Sequence, residues 1–319
     1  MPHIPKAAKE AIDLLVKANQ IDPENEPIKE LLDFSVAEAK EDDYLPVPEE
    51  KVRFESMFQW MKNDGAEFDK LKMRYYAPDY RGVHAARDVK KGETILYVPK
   101  KEIITLEMAM ESPIGAKMKA KHHRSRLISP KHSFLATYIM QDRRKENSYY
   151  DKYIDILPKA FDNFPIFYTM EERKWLEGSP FQNQISEKIK DIKADYKTIC
   201  DEVPEYSQFT LKEYSEIRMM VCSRIFGIEI EGVKTDGFVP YADMLNHKRP
   251  RQTSWTYTDD REGFIIEALE DIKRGDQIFD SYGKKCNTRF LLNYGFINLD
   301  NDANEFPLTI ELDPSDANY

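Results

Sequence analysis

The distribution of apolar residues predicts two short helices before the main domain. Residues 5–19 place their apolar side chains on one helical face, and residues 27–40 repeat this pattern after a proline in the first turn. The segment KEDDYLPVPEEK (40–51) is acidic and contains prolines, which is typical of a linker. The pattern therefore predicts an N-terminal helical extension over residues 1–48, with the main domain beginning near residue 49.

The first part of the main domain is predicted to contain a helix followed by strands. The segment VRFESMFQWMKNDGAEF (52–68) has helical spacing, and Gly65 lies near its end, where glycine favours helix termination. Residues 80–100 contain two β-rich segments separated by a KKG turn, the second being TILYVP. We interpret residues 80–100 as a hairpin of an antiparallel sheet.

The middle of the chain has helical periodicity, and strand patterns return after it. The predicted helices are 131–147, 182–203 and 210–227. Thr210 and Glu213 have the spacing of a capping box at the start of the last helix. Strands are predicted at 237–242, 253–258, 263–269 and 276–282, with TDDREG as the turn between the second and the third. This order, β, then a helical insert of about 130–235, then β, predicts an α+β fold.

Composition and charge favour a globular protein that acts on other proteins. The 319 residues are 41% hydrophobic, which is sufficient for a large core. The net charge of −10 disfavours binding to nucleic-acid phosphates, so a macromolecular partner is expected to be a protein. The three cysteines are isolated from one another, and no apolar run has membrane-spanning length. We therefore predict a cytoplasmic protein that does not bind membranes, with nuclear residence as an alternative.

Several common catalytic motifs are absent from the sequence. It contains neither a P-loop nor a G-x-G-x-x-G nucleotide fingerprint, and no G-x-S-x-G serine nucleophile. None of the six histidines has the H-E-x-x-H spacing of a zinc protease, and His122 and His123 belong to a basic turn that is typical of a solvated surface. We predict no metal site.

Candidate chemistry is concentrated in DGFVPYADMLNH (236–247) and GDQIFDSYGKKCNTRFLLNYGF (275–296). Taken alone, Asn246 and His247 after an apolar strand are more typical of a hydrogen-bonded structural corner, and Tyr282 of an ordinary strand-end tyrosine. Their order changes this interpretation, because D-x-x-N-H, a hairpin, IFDSYG and NYGF follow one another, with RGVHAARD far upstream.

This ordered set resembles the SET-domain protein methyltransferases. The branch it resembles has a long helical insert and includes the Rubisco large-subunit lysine methyltransferase and the actin histidine methyltransferase; the similarity covers about residues 50–300. The resemblance implies an α+β SET domain over 49–300, built of short antiparallel β-sheets with a pseudoknot-like C-terminal segment. In this interpretation residues 301–319 are a tail that leads toward the helical substrate-binding domain of these relatives, which the sequence does not include.

The resemblance also implies S-adenosyl-L-methionine as cofactor and a protein side-chain nitrogen as methyl acceptor. Asn246 and His247 correspond to the residues that hold the cofactor, and Asp243 would brace their turn. Arg224 corresponds to the arginine that pairs with the cofactor carboxylate, although a helix-surface arginine is the alternative. The first cofactor loop corresponds to Asp79, Tyr80 and Arg81, which would contribute mainly backbone groups. Tyr80 stands where relatives have the first glycine of Gly-x-Gly, and its side chain either narrows the pocket or points outward.

The same resemblance assigns the catalytic and target-binding positions. Tyr282 corresponds to the catalytic tyrosine, which also adjoins the cofactor, and Lys285 stands where some relatives have arginine. The target channel would be lined by Tyr294 and Phe296, joined by Trp255 or Tyr257, with a packed strand face as the alternative for Trp255.

The target itself is inferred from one position, from the composition and from one absence. Phe226 occupies a position where lysine-modifying members have an aromatic residue and the actin-histidine member a polar one, which favours lysine. The acidic composition and the absence of a cysteine-rich post-SET segment favour a non-histone target. Alternatives are a histidine methyltransferase of the actin type and a non-catalytic SET-like scaffold.

Overall fold

A computed structural model describes residues 48–77, 80–120 and 126–305. The helices predicted at 5–19 and 27–40 and the candidate residue Asp79 lie outside these ranges. The described chain divides into two compact units. Unit 1 contains the residues up to Pro99 together with Met244–Thr256 and Gly263–Ser281, and unit 2 contains Lys100–Asp243, Tyr257–Glu262 and the residues from Tyr282 onward.

The elements of the described residues are numbered in chain order. The helices are α1 (Pro48–Asp64), α2 (Leu106–Glu111), α3 (Pro113–Ala120), α4 (Pro130–Asp142), α5 (Asp151–Ile156), α6 (Met170–Lys174), α7 (Pro180–Glu202), α8 (Leu211–Arg224) and α9 (Asn287–Tyr294). The strands are β1 (Leu71–Ala77), β2 (Tyr80–Ala85), β3 (Thr94–Pro99), β4 (Ile104–Thr105), β5 (Phe226–Ile230), β6 (Val233–Phe238), β7 (Asn246–His247), β8 (Thr253–Thr258), β9 (Gly263–Ala268) and β10 (Phe279–Asp280).

Helix α1 confirms the first helix predicted in the main domain. It begins at Pro48, four residues before the predicted start, and it ends before Gly65, whose φ of 97° is readily adopted only by glycine. Its side chains at Phe54, Met57 and Met61 are at most 3% exposed, and their spacing places them on one face. This buried face attaches α1 to the core of unit 1.

The hairpin predicted for residues 80–100 is wrong, because the two strands have other partners. Strand β2 pairs antiparallel with β1, and β3 pairs antiparallel with β9 in a sheet of order β3-β9-β8. The KKG turn exists, but its backbone bonds to a distant segment: Gly92 N donates to Ala268 O at 2.7 Å. The first arm is therefore bound by β1, which precedes it in the sequence, and the second by the distant β9, rather than by each other.

Unit 2 contains the helical insert and confirms the predicted capping box of α8. Thr210 Oγ1 accepts from Glu213 N at 3.1 Å, and the Glu213 carboxylate accepts from Thr210 N at 2.6 Å. These reciprocal bonds satisfy two backbone donors at the helix start. Among the described residues, no helix is both long enough and apolar enough to cross a membrane.

The predicted strand at 237–242 needs correction, and the end of the insert is not helical. Strands β5 and β6 form an antiparallel pair, with β4 on the other edge of β6. Strand β6 ends at Phe238 and the chain turns, with Tyr241 at φ 67°, into a short 3-10 helix, Ala242–Met244. Pro240 explains this end, because proline has no N–H with which to continue a ladder.

Candidate active site

The Asn-His pair lies on a short strand of unit 1. Asn246 and His247 form β7, which pairs in parallel with β10, so that Asn246 faces Phe279 and His247 faces Asp280 in register. Lys248 N extends the pairing by donating to Asp280 O at 2.9 Å. The segment is therefore fixed by its backbone, and the side chain of Asn246 projects from a defined position.

The side-chain amide of Asn246 is held by two hydrogen bonds within unit 1. Its Nδ2 donates to the carbonyl of Arg81 at 2.9 Å and to Oε1 of Gln277 at 2.9 Å. An amide nitrogen has two hydrogens, so both are used. Within the described residues Oδ1 of Asn246 has no hydrogen bond, and this oxygen can accept one from a bound molecule.

The first cofactor loop is represented by Tyr80 and Arg81. Tyr80 is 59% exposed, and its ring packs at 4.9 Å from that of Tyr76, so the side chain points outward from unit 1. The guanidinium of Arg81 lies 4.9 Å from the Phe54 ring centroid and 3.9 Å from a Glu50 carboxylate oxygen. Because this side chain is bound to α1, what Arg81 offers to Asn246 is its backbone carbonyl.

In unit 2, Arg224 forms a largely buried ion pair with Asp243. Its Nη1 donates to Asp243 Oδ2 at 2.9 Å and to Asp243 O at 3.0 Å, and Tyr153 donates its hydroxyl to the same Oδ2 at 3.0 Å. Burial alone would lower the pKa of Arg224, but the Asp243 carboxylate raises it above its ordinary value. Within the described residues Nε and Nη2 of Arg224 have no hydrogen bond, so the guanidinium retains donors for an anion.

Tyr282 belongs to a group of four aromatic rings in unit 2, which we name the Tyr282 cluster. Its ring stacks on Tyr294 with centroids 5.1 Å apart, and it meets Phe296 edge-on at 6.1 Å. Phe290 stacks on Phe296 at 5.1 Å and is fully buried. The structure thus brings together Tyr282, Tyr294 and Phe296, the three residues of the cluster that the sequence analysis had selected.

Lys285 contacts both tyrosines of the Tyr282 cluster. Its ammonium group donates to the carbonyl of Tyr282 and lies 5.7 Å from the ring centroid of Tyr294. Burial and the neighbouring Arg289 lower the pKa of Lys285 below its ordinary value. A positive charge therefore adjoins the aromatic surface.

The turn after α9 places Tyr294 and Phe296 in the same cluster. Gly295 has φ 76° and ends the helix in the left-handed conformation. A Cβ at this position would lie 2.3 Å from Asn163 Nδ2, whose amide donates to Gly295 O at 3.3 Å. Glycine is required here both by the backbone angle and by the close approach of Asn163.

The other suggested channel residues lie on two strands, β5 and β8. Phe226 begins β5 and is 8% exposed. Trp255 on β8 stacks on Phe264 of β9 at 5.8 Å, which corresponds to the packed strand face considered as its alternative. Tyr257, on the same strand but assigned to unit 2, is 9% exposed.

Sequence reasoning missed three side chains that are linked to Asn246 through successive hydrogen bonds. Gln277 Nε2 donates to the Tyr76 hydroxyl at 2.8 Å, Tyr76 is hydrogen-bonded to His84 Nε2, and His84 Nδ1 lies 2.6 Å from the carbonyl of Gly275. With Asn246 and the Arg81 carbonyl they form a continuous series, which we name the Asn246 network. No local pattern marks these residues, since Tyr76 and Gln277 are 201 positions apart.

Comparison with known proteins identifies the family. A family model described as SET domain matches residues 80–283, well over half of the chain. The chain therefore belongs to the SET domain family.

The chain is also similar to curated relatives of this family. Actin-histidine N-methyltransferases from Callithrix jacchus and Mus musculus are 26% identical to it, over 88% of this chain and 47% of each relative. The relative from Homo sapiens is 25% identical over the same shares. The chain thus spans about half the length of the curated relatives it matches.

Solved structures share the fold. The SET domain of LSMT bound to lysine and AdoHcy has a TM-score of 0.70 at 20% identity, covering 85% of this chain and 63% of that one. Rubisco LSMT bound to AdoMet has a TM-score of 0.68 at 22% identity, covering 83% and 61%. These likenesses confirm the predicted SET fold of α+β class.

Proposed function

We propose that this chain is an S-adenosylmethionine-dependent protein N-methyltransferase whose target is a lysine of a non-histone protein. The observation that carries the proposal is the Tyr282 cluster, in which a tyrosine stacks on Tyr294 and meets Phe296. Family membership supports it, as do the names of the relatives, which are methyltransferases acting on proteins.

Arg224, Asp243 and Asn246, each considered within its own unit, offer groups that suit the chemistry of the cofactor. Nε and Nη2 of Arg224 are donors suited to a carboxylate, and a planar guanidinium can bind one with two parallel bonds. In unit 1, Oδ1 of Asn246 is an acceptor suited to an N–H group. Asp243 Oδ1 is buried without a hydrogen bond among the described residues, so its carboxylate retains capacity to stabilise positive charge. When bound, S-adenosylmethionine supplies a methyl group on a positively charged sulfur.

The Tyr282 cluster favours a neutral amine as the nucleophile. A free lysine has a pKa of about 10.4, and desolvation against aromatic rings lowers that value. The ammonium of Lys285 adds a like charge, which acts in the same direction. Ring faces also stabilise a methylated cation, by about 0.5–2 kcal/mol. The cluster therefore assists release of the proton before transfer and retention of the product after it.

The choice of lysine rests on Phe226, whose apolar ring offers no hydrogen bond to an imidazole. A histidine target is the second candidate, and the names of the curated relatives favour it. Mass spectrometry of a methylated substrate protein distinguishes the two. A methyl group found only on a histidine ring nitrogen would overturn the lysine proposal and leave the methyltransferase class intact.

Activity is tested with labelled cofactor and cell extract. We expect Tyr282→Phe to reduce labelling of a discrete protein band on the order of 100-fold, the usual effect of removing one group that stabilises transition-state charge. Tyr168→Phe is the matched control, since this half-buried tyrosine of unit 2 lies outside the proposed site. Undiminished labelling by Tyr282→Phe would refute the role of its hydroxyl.

The scaffold alternative is tested by binding. A ligand that binds the native state raises the melting temperature by mass action. We expect S-adenosylmethionine and its demethylated product to raise it, whereas a non-catalytic scaffold without a cofactor site would show no shift with either.

A further inference from the structure

The Asn246 network is held together by backbone pairing as well as by side chains. His84 and Gln277 form an isolated antiparallel bridge. Ile278 N donates to Val83 O at 2.7 Å, and Ala85 N donates to Asp276 O at 2.9 Å. Residues 275–278 thus line the edge of β2. This pairing fixes the distances among the polar side chains of the network.

Two backbone carbonyls determine the direction of the hydrogen bonds in the network for a neutral His84 ring. The carbonyl of Gly275 can only accept, so Nδ1 of His84 must carry a hydrogen. In the neutral imidazole Nε2 is then an acceptor, and Tyr76 donates its hydroxyl to it. The Tyr76 oxygen in turn accepts from Gln277 Nε2 at 2.8 Å. Gln277 Oε1 consequently faces Asn246 as an acceptor.

The Arg81 carbonyl, at the Asn246 end of the network, leads to the same assignment of donors and acceptors. The carbonyl of Arg81 can only accept, so Asn246 must present its NH₂ group to it, and the second hydrogen of that group goes to Gln277 Oε1. A flipped Asn246 amide would place Oδ1 against two acceptors. The network therefore leaves one orientation of Asn246, with Oδ1 as its acceptor for a ligand.

Gly82 provides independent support for a tightly fitted network. A Cβ at Gly82 would lie 2.6 Å from the Tyr76 hydroxyl and 2.9 Å from Gln277 Oε1. Only a residue without a side chain leaves room for this pair. The second glycine of the loop is thus needed because Tyr76 and Gln277 occupy the space beside it.

We propose that Tyr76, His84 and Gln277 are positioning residues that orient the Asn246 amide so that Oδ1 accepts an N–H group of the cofactor. This inference rests on the proposed function. The recognised group is an amine or ammonium hydrogen, since Oδ1 is an acceptor and would repel a carboxylate. None of the three side chains needs to touch the cofactor.

Calorimetric binding of S-adenosylhomocysteine to the full chain tests the proposal. Tyr76→Phe removes one oxygen, which leaves Gln277 Nε2 without its acceptor and permits the Gln277 amide to flip, so that Oε1 no longer has to face Asn246. We expect the affinity to fall roughly tenfold, as for a buried polar group left unpaired. Tyr75→Phe is the matched control on the same strand, because its ring packs on Phe54 and its hydroxyl has no hydrogen bond among the described residues. We expect the control to bind within twofold of the native chain.

Gln277 offers a rescue that a purely structural role would not show. Gln277→Leu removes the acceptor of Asn246 and is expected to lose roughly tenfold in affinity. Gln277→Glu keeps an acceptor for Asn246 but gives up the donor to Tyr76, and it is expected to retain more affinity than Gln277→Leu. Equal losses in both variants would overturn the proposed orientation.

The tautomer of His84 gives a readout that does not depend on cofactor binding. Nitrogen-15 NMR of labelled histidine, assigned with His84→Phe and recorded at a pH where the ring is neutral, should show the hydrogen on Nδ1, and Tyr76→Phe should weaken this preference. A native His84 protonated at Nε2 would overturn the network order. If the native tautomer is as expected but S-adenosylhomocysteine does not bind, the proposed function fails instead. If the native chain binds and Tyr76→Phe binds equally well, the positioning role is refuted.

Discussion

The Asn246 network joins four side chains by directional hydrogen bonds, whereas the Tyr282 cluster holds its tyrosine by ring packing at 5.1–6.1 Å. A hydrogen-bond series depends on single atoms, because each group must be a donor or an acceptor in turn. Ring packing is spread over many weak atom pairs and depends on volume. The first arrangement suits recognition of a polar group with a fixed orientation, and the second suits an apolar surface beside a reacting amine.

The largest expected effect tests whether volume is what matters in the Tyr282 cluster. Phe290→Ala should lower the free energy of unfolding by about 3–5 kcal/mol, because a fully buried ring is replaced by a cavity. Phe290→Leu should cost less than about 1.5 kcal/mol, since it retains most of the volume. Urea unfolding of both variants measures the difference, and equal losses would show that ring stacking rather than volume stabilises the cluster.

The next effect tests how tightly the Asn246 network is fitted. Gly82→Ala should destabilise the fold by about 1–3 kcal/mol, because the new methyl group overlaps the Tyr76 hydroxyl and Gln277. Gly227→Ala is the control, since its Cβ would make only an ordinary contact at 3.9 Å with Asp236. Urea unfolding is the measurement, and a Gly82→Ala variant as stable as the control would show that the network readily gives way.

A smaller effect concerns the charge beside the Tyr282 cluster. The Lys285 ammonium disfavours a second cation nearby, so it lowers the pKa of an amine bound against Tyr294. Lys285→Met should therefore move the rise of kcat with pH upward by roughly 0.5–1 pH unit. Lys284→Met is the control, because Lys284 is the exposed neighbour of Lys285 and carries the same charge. If neither Lys285→Met nor Lys284→Met shifts the pH dependence of kcat, the electrostatic role of Lys285 is refuted.

The smallest expected effect is a pH dependence in unit 1 from Asp280, the in-register neighbour of His247. Burial raises the pKa of Asp280, and within the described residues its Oδ1 has no hydrogen bond. The folded state thus favours the protonated carboxyl. The resulting stabilisation of the fold is fully present below the ordinary aspartate pKa of about 3.9, and it is lost as the pH rises through the raised pKa of the folded state. Asp280→Asn should gain stability relative to the native chain between pH 4 and pH 7, as measured by urea midpoints. A constant difference between the two proteins across this range would contradict the assigned burial cost.

Local sequence patterns predicted the elements whose causes are local. Helix α1, its end at Gly65 and the capping box of Thr210 and Glu213 follow from spacing and from bonds between near neighbours. The hairpin predicted for residues 80–100 failed because β2 pairs with the preceding strand β1 and β3 pairs with a strand far away in sequence. Strand β3 bonds to β9, more than 160 positions later, and no feature of TILYVP indicates that partner.

The sequence by itself determined the family, through the order of D-x-x-N-H, SYG and NYGF, and with it the candidate residues Arg224, Asn246 and Tyr282. Tertiary structure decided how those residues are supported. The Asn246 amide is bonded to residues 165 and 31 positions away, and His84 to a carbonyl 191 positions away. Hydrogen bonds act over about 3 Å whatever the sequence separation, so only folding could bring Tyr76, His84 and Gln277 together and set the direction of each bond.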